Sequence, residues 1–213
     1  MNYKKKVLNL YACLGGNRLL WDNCHVTAIG LDPELARMYQ ERFPGDTVIV
    51  ADAHEYLLNH FEEYDFIWSS PPCPTHSRAR AFNSKYKAVY PDMTLYQEII
   101  LLQSRFKGKW VVENVIPYYE PLIQGQKRGR HIYWANFALP QVLSERKPPR
   151  MGKELNETMA FCDFHGVDIS SYKGEQRKEK IVRNLVDYQA GKVIFDTAMG
   201  IVNKGSAHQG LLF

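Results

Sequence analysis

The chain has 213 residues, of which 45% are hydrophobic, and this length and composition favour one globular domain and exclude an intrinsically disordered protein. Lysine and arginine exceed aspartate and glutamate by 27 to 23, so the formal charge of +4 permits a polyanionic partner without requiring one. The four cysteines stand far apart with no C-x-x-C pair, which argues against a zinc cluster and a disulfide framework. The apolar run Val7 to Leu14 is too short for a membrane span, so we expect a cytoplasmic protein with no membrane or metal partner.

Short apolar runs alternate along the chain with stretches of helical periodicity. Strands are predicted at Val7 to Tyr11, Val26 to Leu31, Thr47 to Val50, Tyr64 to Ser69 and Trp110 to Glu113. Helices are predicted at Arg18 to Asn23, Glu34 to Phe43, Ala53 to Phe61 and Met93 to Phe106. This β-α-β alternation predicts an α/β fold with a mostly parallel central sheet and helices on both faces. The pattern weakens beyond residue 140, which divides the chain into a main domain, residues 1–140, and a short C-terminal extension, residues 141–213.

Polar residues follow each of the five predicted strands, where α/β sheets bind their ligands. The first strand ends in Tyr11-Ala12-Cys13-Leu14-Gly15-Gly16-Asn17, a glycine turn at which the backbone can approach a ligand closely. Asp32 follows about 20 residues later, the spacing that places a carboxylate on ribose hydroxyls. The absence of a full G-x-G-x-x-G disfavours a dinucleotide and favours an adenosine-type cofactor. Asp52 after the third strand is either an acceptor for an adenine amino group or a helix N-cap.

The fourth and fifth strand ends carry a cysteine and a glutamate. Cys73 stands between Pro72 and Pro74, on a loop of few conformations that would present a nucleophilic thiol; an inert structural cysteine is the alternative. Glu113 ends an otherwise apolar strand, and beside a thiol in a crevice it could donate as well as accept a proton. Arg128 and Arg130 alternate, so on a strand both would point to one side, toward a phosphate or a base carbonyl, unless they form a solvated face.

The order Y-A-C-L-G-G, P-P-C, E-N-V and Q-K-R-G-R resembles the DNA cytosine-5 methyltransferase family over residues 7–134. The resemblance implies a Rossmann-like S-adenosylmethionine-dependent methyltransferase fold and duplex DNA with a flipped cytosine as the partner. It implies catalytic roles for Cys73, Glu113, Arg128 and Arg130. The residues that it implies for S-adenosylmethionine binding are Tyr11, Ala12, Leu14, Gly15, Gly16, Asp32, Asp52, Pro72 and Leu95.

The chain departs from the family pattern in its second half. The target-recognition region is reduced to residues 141–192, and of the C-terminal Gly-Asn-x-Val motif that completes the cofactor pocket only a faint echo is found, at Ile201 to Ser206. The short form resembles compact, phage-type members, which implies a restriction-modification setting in a host cytoplasm and a possible partner subunit for target recognition. The basic segments Arg146 to Lys153 and Lys173 to Lys180 are expected to contact DNA. Two alternatives stay open, a tRNA cytosine-5 methyltransferase and a catalytically inactive nucleic-acid-binding module.

Overall fold

The computed structural model describes residues 4–78, 80, 87–150 and 156–201. Its sheet has seven strands in the order β3-β2-β1-β4-β5-β7-β6. The strands are β1 (Lys5–Leu10), β2 (Cys24–Gly30), β3 (Thr47–Val50), β4 (Phe66–Ser69), β5 (Lys109–Val115), β6 (Gln126–Arg128) and β7 (His131–Ala135). Strands β1 to β5 are parallel, whereas β7 is antiparallel to β5 and to β6. The carboxyl ends of the five parallel strands therefore meet at one edge.

Six α-helices are described: α1 (Pro33–Arg42), α2 (Ala53–His60), α3 (Thr94–Arg105), α4 (Glu157–His165), α5 (Lys178–Arg183) and α6 (Tyr188–Met199), with a 3₁₀ turn at Phe61–Glu63 after α2. Carboxylates begin three of them, because Asp32, Asp52 and Asp187 each accept hydrogen bonds from free backbone N–H groups of the first turn. Proline at the first position of α1 supports the same start. Strands β2 and β3 thus pass almost directly into helices α1 and α2.

The side chains of β1 alternate between two hydrophobic layers. Leu8 and Leu10 pack in a cluster with residues of α2 and α3, while Val7 packs in a cluster with residues of α6. This alternation confirms the predicted fold class, a mostly parallel sheet with helices on both faces in a Rossmann-like arrangement.

Helix α6 brings the C-terminal extension onto the sheet. The ring of Phe195 stacks on Trp21 with 5.1 Å between centroids and meets Phe66 of β4 edge to face at 5.6 Å. The indole N–H of Trp21 donates to the backbone oxygen of Gly191 at 3.0 Å. The extension therefore contributes to the hydrophobic core.

The helix predicted at Arg18 to Asn23 is wrong, because this segment forms successive turns. The N–H of Arg18 donates to the oxygen of Gly15, and the N–H of Trp21 donates to the oxygen of Arg18, both in a three-residue step. The Arg18 guanidinium binds both carboxylate oxygens of Asp46 at 2.9 Å, and Trp21 is buried. These tertiary contacts hold the segment in turns against its helical pattern.

Within the described residues, no helix is long and apolar enough to cross a membrane. In the same part of the chain, no group of three or more His, Cys, Asp or Glu side chains is arranged to hold a metal ion.

Candidate active site

A cavity of about 250 Å³ opens at the carboxyl ends of β1 and β2. Four residues predicted to bind the cofactor line it, namely Tyr11, Ala12, Gly16 and Asp32. The opposite side is formed by Gln176 and by residues 184–186, which precede α6. The cavity is therefore enclosed by two parts of the chain that lie about 150 residues apart, a distance that local sequence patterns do not encode.

The turn after β1 has an unusual backbone that brings it close to the C-terminal part. Tyr11 and Cys13 have positive φ values of 55° and 49°, a conformation that costs free energy for residues other than glycine. A Cβ on Gly16 would lie 2.5 Å from the backbone oxygen of Val186, so only glycine fits there without a shift. Burial raises the pKa of the Cys13 thiol to about 12, which keeps this cysteine protonated. The turn is thus a structural element of the cavity.

Asp32 is held by four hydrogen bonds. Its Oδ1 accepts from the N–H groups of Glu34 and Leu35 at 3.0 and 3.2 Å, and its Oδ2 accepts from the Tyr172 hydroxyl at 2.6 Å and the Gln176 amide at 3.0 Å. Burial by itself raises the pKa of Asp32, but these hydrogen bonds outweigh it and hold the pKa below its usual value. The carboxylate is therefore ionised and fixed in orientation at the cavity.

Five other predicted cofactor residues do not line the cavity, and they are Leu14, Gly15, Asp52, Pro72 and Leu95. The side chain of Leu14 packs with α1 and with α5, and a Cβ on Gly15 would collide with the rings of Tyr39 and Phe43. Asp52 caps α2 by accepting from the N–H of Glu55 at 2.9 Å.

The remaining two lie in opposite environments, since Leu95 is 2% exposed in the core and Pro72 is exposed to solvent. Their neighbours Ala53 and Ser70 line the cavity instead of Asp52 and Pro72. Contact between these predicted residues and the cofactor stays a prediction. A sequence motif locates a segment of backbone, but it does not determine the direction in which each side chain points.

Hydrogen bonds hold the loop that carries Cys73 close to the end of β5. The N–H groups of His76 and Ser77 both donate to the backbone oxygen of Cys73 at 3.0 Å, which closes a tight turn. The Asn114 amide donates to the oxygen of Pro71 at 2.9 Å, and the His76 ring contacts the hydroxyl of Tyr119 at 2.6 Å. These bonds fix the position of the thiol relative to β5.

Cys73 and Glu113 lie close enough for their charges to interact. Burial raises the pKa of the Cys73 thiol, the negative charge of Glu113 raises it further, and the positive charge of Lys180 on α5 opposes both effects. Glu113 is 7% exposed, and its Oε1 lies 3.5 Å from Nε2 of His131 on β7. The Cys73 thiol, the buried Glu113 carboxyl group and the His131 imidazole therefore lie at the same edge of the sheet.

The predicted shared orientation of Arg128 and Arg130 is wrong. Arg128 ends β6, and its guanidinium donates to the backbone oxygens of Pro140, Lys127 and Leu139 at 2.6 to 2.8 Å. Arg130 is exposed in the turn between β6 and β7. The left-handed Gly129, with φ of 56°, reverses the chain between the two arginines, so the period of two does not apply. The Arg128 side chain therefore uses these hydrogen bonds to stabilise the fold.

Sequence reasoning missed the residues that close the cavity from the C-terminal side. These residues include the segment Asn184-Leu185-Val186, which has the Asn-x-Val pattern of the C-terminal motif and lines the cavity. The echo of this motif predicted at Ile201 to Ser206 falls mostly on residues 202–206, which lie outside the described residues. The sequence contained a signal sufficient to find this segment, because the Asn-x-Val pattern directly precedes the amphipathic helix α6. No comparable signal marks Tyr172, Gln176 or His131.

A family model described as C-5 cytosine-specific DNA methylase matches residues 5–117, which is more than half of the chain and includes Cys73 and Glu113. No curated protein sequence matches this chain.

Several solved structures are similar to the chain. One is the SAM-dependent methyltransferase from Agrobacterium tumefaciens, with 16% identity over 56% of this chain and 41% of that chain, at a TM-score of 0.41. Another is a DNMT2 variant from Spodoptera frugiperda, with 18% identity over 52% of this chain and 35% of that chain, at 0.36. A third is the putative methyltransferase yhhF from Escherichia coli, with 13% identity over 62% of this chain and 74% of that chain, at 0.40. The chain thus spans less than half the length of the first two.

Proposed function

Starting from the finding that this chain belongs to the C-5 cytosine-specific DNA methylase family, we propose that it methylates carbon 5 of cytosine in DNA through a covalent adduct with Cys73. The observation that carries this proposal is that Cys73 and the buried Glu113 lie at the edge of the sheet that bears the cavity, with the Cys73 loop held to β5 by the hydrogen bond from Asn114 to Pro71. A thiol and a carboxyl group are the two groups that activation of a cytosine ring requires.

S-adenosylmethionine is the cofactor, and it supplies the electrophilic methyl group when bound. The cavity residues fit it, because an apolar wall at Ala12, Ala28 and Leu185 suits a base and Asp32 offers an ionised acceptor for hydroxyl groups. Gly16 lines the cavity without a side chain, at a place where a Cβ would collide with the backbone oxygen of Val186. The volume of about 250 Å³ lies near the lower end for small-molecule sites, about 300 Å³.

Carbon 5 of cytosine is too weak a nucleophile to accept a methyl group directly. The thiolate of Cys73 forms a bond to carbon 6, and the displaced electron pair makes carbon 5 nucleophilic. Glu113 donates a proton to ring nitrogen 3, which neutralises the charge that develops there. After methylation, loss of the carbon 5 proton drives expulsion of the Cys73 thiolate and restores the ring.

The electrostatics of the pair couple these proton movements. An ionised Glu113 opposes thiolate formation at Cys73, whereas a protonated Glu113 does not. Lys180 adds a positive charge that favours the thiolate.

The proposed contact with nucleic acid involves the exposed cations near this edge. Arg130, Lys173 and Lys180 are exposed, whereas the Arg128 guanidinium donates to backbone oxygens. Arg146, which was expected to contact DNA, lies between the rings of Phe164 and Tyr188 and pairs with Asp187 at 2.7 Å, so it stabilises the fold instead. Met151 to Lys153 of the same predicted segment lie outside the described residues.

The decisive experiment is transfer of labelled methyl from S-adenosylmethionine to duplex DNA, single-stranded DNA and tRNA in parallel. We expect label in duplex DNA, at carbon 5 of cytosine. Label in tRNA alone would support the tRNA alternative, and no label on any substrate, with the cofactor bound, would support the inactive module. A base in a duplex must leave the stack before the thiol can reach it, so a mismatched target cytosine should react faster than a paired one.

A further inference from the structure

A buried carboxylate joins three parts of the active-site edge. Glu98 of α3 is 0% exposed, and its oxygens contact the Tyr11 hydroxyl at 2.6 Å, the Ser69 hydroxyl at 2.5 Å and Nδ1 of His54 at 3.2 Å. We name these four residues the Glu98 cluster. Tyr11 is one of the predicted cofactor residues, whereas the other three have no part in the chemistry described above.

The position of Glu98 is one at which an apolar residue would be expected. Its neighbours on α3, Leu95, Ile99 and Leu102, are all buried in the main hydrophobic cluster. A buried carboxylate costs free energy unless its hydrogen bonds are complete, and a leucine at this position would avoid that cost. Core packing therefore does not explain the glutamate, whereas its partners do.

Each partner of Glu98 stands at a different strand end. Tyr11 follows β1 and lines the cavity, with a left-handed backbone that a fixed side chain stabilises. Ser69 ends β4, one residue before Ser70 of the cavity wall and four before Cys73. His54 lies in the first turn of α2, next to the cavity residue Ala53, and its side chain is 34% exposed.

We infer that Glu98 is a positioning residue for cofactor binding, which fixes the Tyr11 ring in the cavity and the end of β4 at the base of the Cys73 loop, with His54 as its solvent-facing counter-charge. This inference rests on the assignment of the cavity to S-adenosylmethionine made above. It does not depend on the nucleic acid substrate or on the covalent step.

The charges around His54 give the cluster a pH dependence. The charged groups that face it are Glu98 from α3, Asp52 at the start of its own helix and Asp92 from the loop before α3. The hydrogen bond to Glu98, supported by these negative charges, raises the pKa of His54. The stabilisation is therefore complete below the ordinary histidine pKa of about 6.5 and is lost as the pH rises through the raised value. Cofactor affinity should fall over the same range.

Calorimetric titration of the full chain with S-adenosylmethionine, without nucleic acid, tests the inference at pH 6 and pH 9. We expect Tyr11→Phe and Glu98→Gln to weaken binding at pH 6 by about tenfold, the effect of one lost hydrogen bond to a charged group. His54→Asn should remove the difference between the two pH values. His60→Asn is the matched control, because His60 on the same helix pairs with Glu63 at 2.7 Å in an exposed position and should leave affinity and its pH dependence unchanged.

Circular dichroism and thermal unfolding establish which variants are folded, and Tyr11→Phe, which keeps the ring, decides the question if Glu98→Gln does not fold. Wild-type affinity in a folded Tyr11→Phe, or an unaltered pH dependence in His54→Asn, would overturn the inference and leave the proposed function standing. Failure of the wild-type chain to bind S-adenosylmethionine would overturn both.

Discussion

The hydroxyl of Tyr172 donates a hydrogen bond of 2.6 Å to Oδ2 of Asp32, which joins the C-terminal part of the chain to the end of β2. The Gln176 amide donates to the same oxygen at 3.0 Å, and the N–H of Gln176 donates to the Tyr172 hydroxyl. A ribose that uses Asp32 must share or replace these donors. The segment between α4 and α5 thus has direct access to the carboxylate predicted to bind the cofactor.

Replacement of Asp32 by alanine should weaken S-adenosylmethionine binding by about 1–3 kcal/mol, because a charged acceptor for hydroxyl groups is lost. The change also removes the cap of α1, which costs about 1 kcal/mol of stability. Asn156→Ala is the matched control, since it removes the cap of α4 and Asn156 does not line the cavity. Calorimetric affinity that is equal in the two variants would remove Asp32 from the site.

Alkylation of Cys73 should follow a titration midpoint above the usual thiol pKa of about 8.5, because burial and the Glu113 charge both raise it. The rate rises with pH as the thiolate forms. Glu113→Gln should move the midpoint to lower pH, and Lys180→Ala should move it to higher pH. Iodoacetamide labelling followed by mass spectrometry of the Cys73 peptide measures this, and identical midpoints in all three proteins would contradict the proposed proximity.

Cys73→Ser should abolish methyl transfer while leaving the fold and cofactor affinity intact, because a hydroxyl is far less acidic and less nucleophilic than a thiol. Cys162→Ser is the matched control, as Cys162 is also partly buried but lies on α4, which is not part of the Cys73 loop. A duplex with 5-fluorocytosine should trap wild-type protein on a denaturing gel only when S-adenosylmethionine is present, since fluorine cannot leave as a cation. Residual methylation by Cys73→Ser with no trapped adduct would show that the P-P-C loop is purely structural.

Arg128 and Arg130 should have separable roles despite belonging to one motif. Arg128→Ala removes three hydrogen bonds to backbone oxygens and should lower the free energy of unfolding by about 1–3 kcal/mol. Arg130→Ala, in an exposed turn, should leave stability within about 0.5 kcal/mol and weaken nucleic acid binding. Urea unfolding and fluorescence anisotropy of a labelled duplex measure the two effects, and the opposite assignment is the result that would contradict the structure.

Nucleic acid affinity should fall steeply with salt, because exposed lysines and arginines displace counterions from phosphates. Lys173→Glu should reduce both the affinity and the slope of its logarithm against the logarithm of salt concentration. Lys107→Glu is the matched control and should leave both unchanged, as Lys107 is exposed just before β5, at the opposite end of the strand from Glu113. Affinity that is independent of salt would point to a small molecule or a protein as the substrate.

The sequence by itself determined the parallel strands, the helices α1 to α3 that connect four of them and the residues near their ends. Periodicity and the proline that begins α1 are local signals, Cys73 comes shortly after the end of β4, and Glu113 lies near the carboxyl end of β5. The carboxyl ends of parallel strands must share an edge, so a pattern read along the chain sufficed to bring these two residues together.

The tertiary structure alone decided which side chains face the cavity. Glu98 lies 87 residues from Tyr11, and Tyr172 lies 140 residues from Asp32, separations that no local period encodes. The direction of Arg128 depends on carbonyl groups that only the folded chain brings within reach. Hydrogen bonds and packing between distant segments fix these orientations, because burial favours the arrangement that pairs buried polar groups, whatever the local propensity.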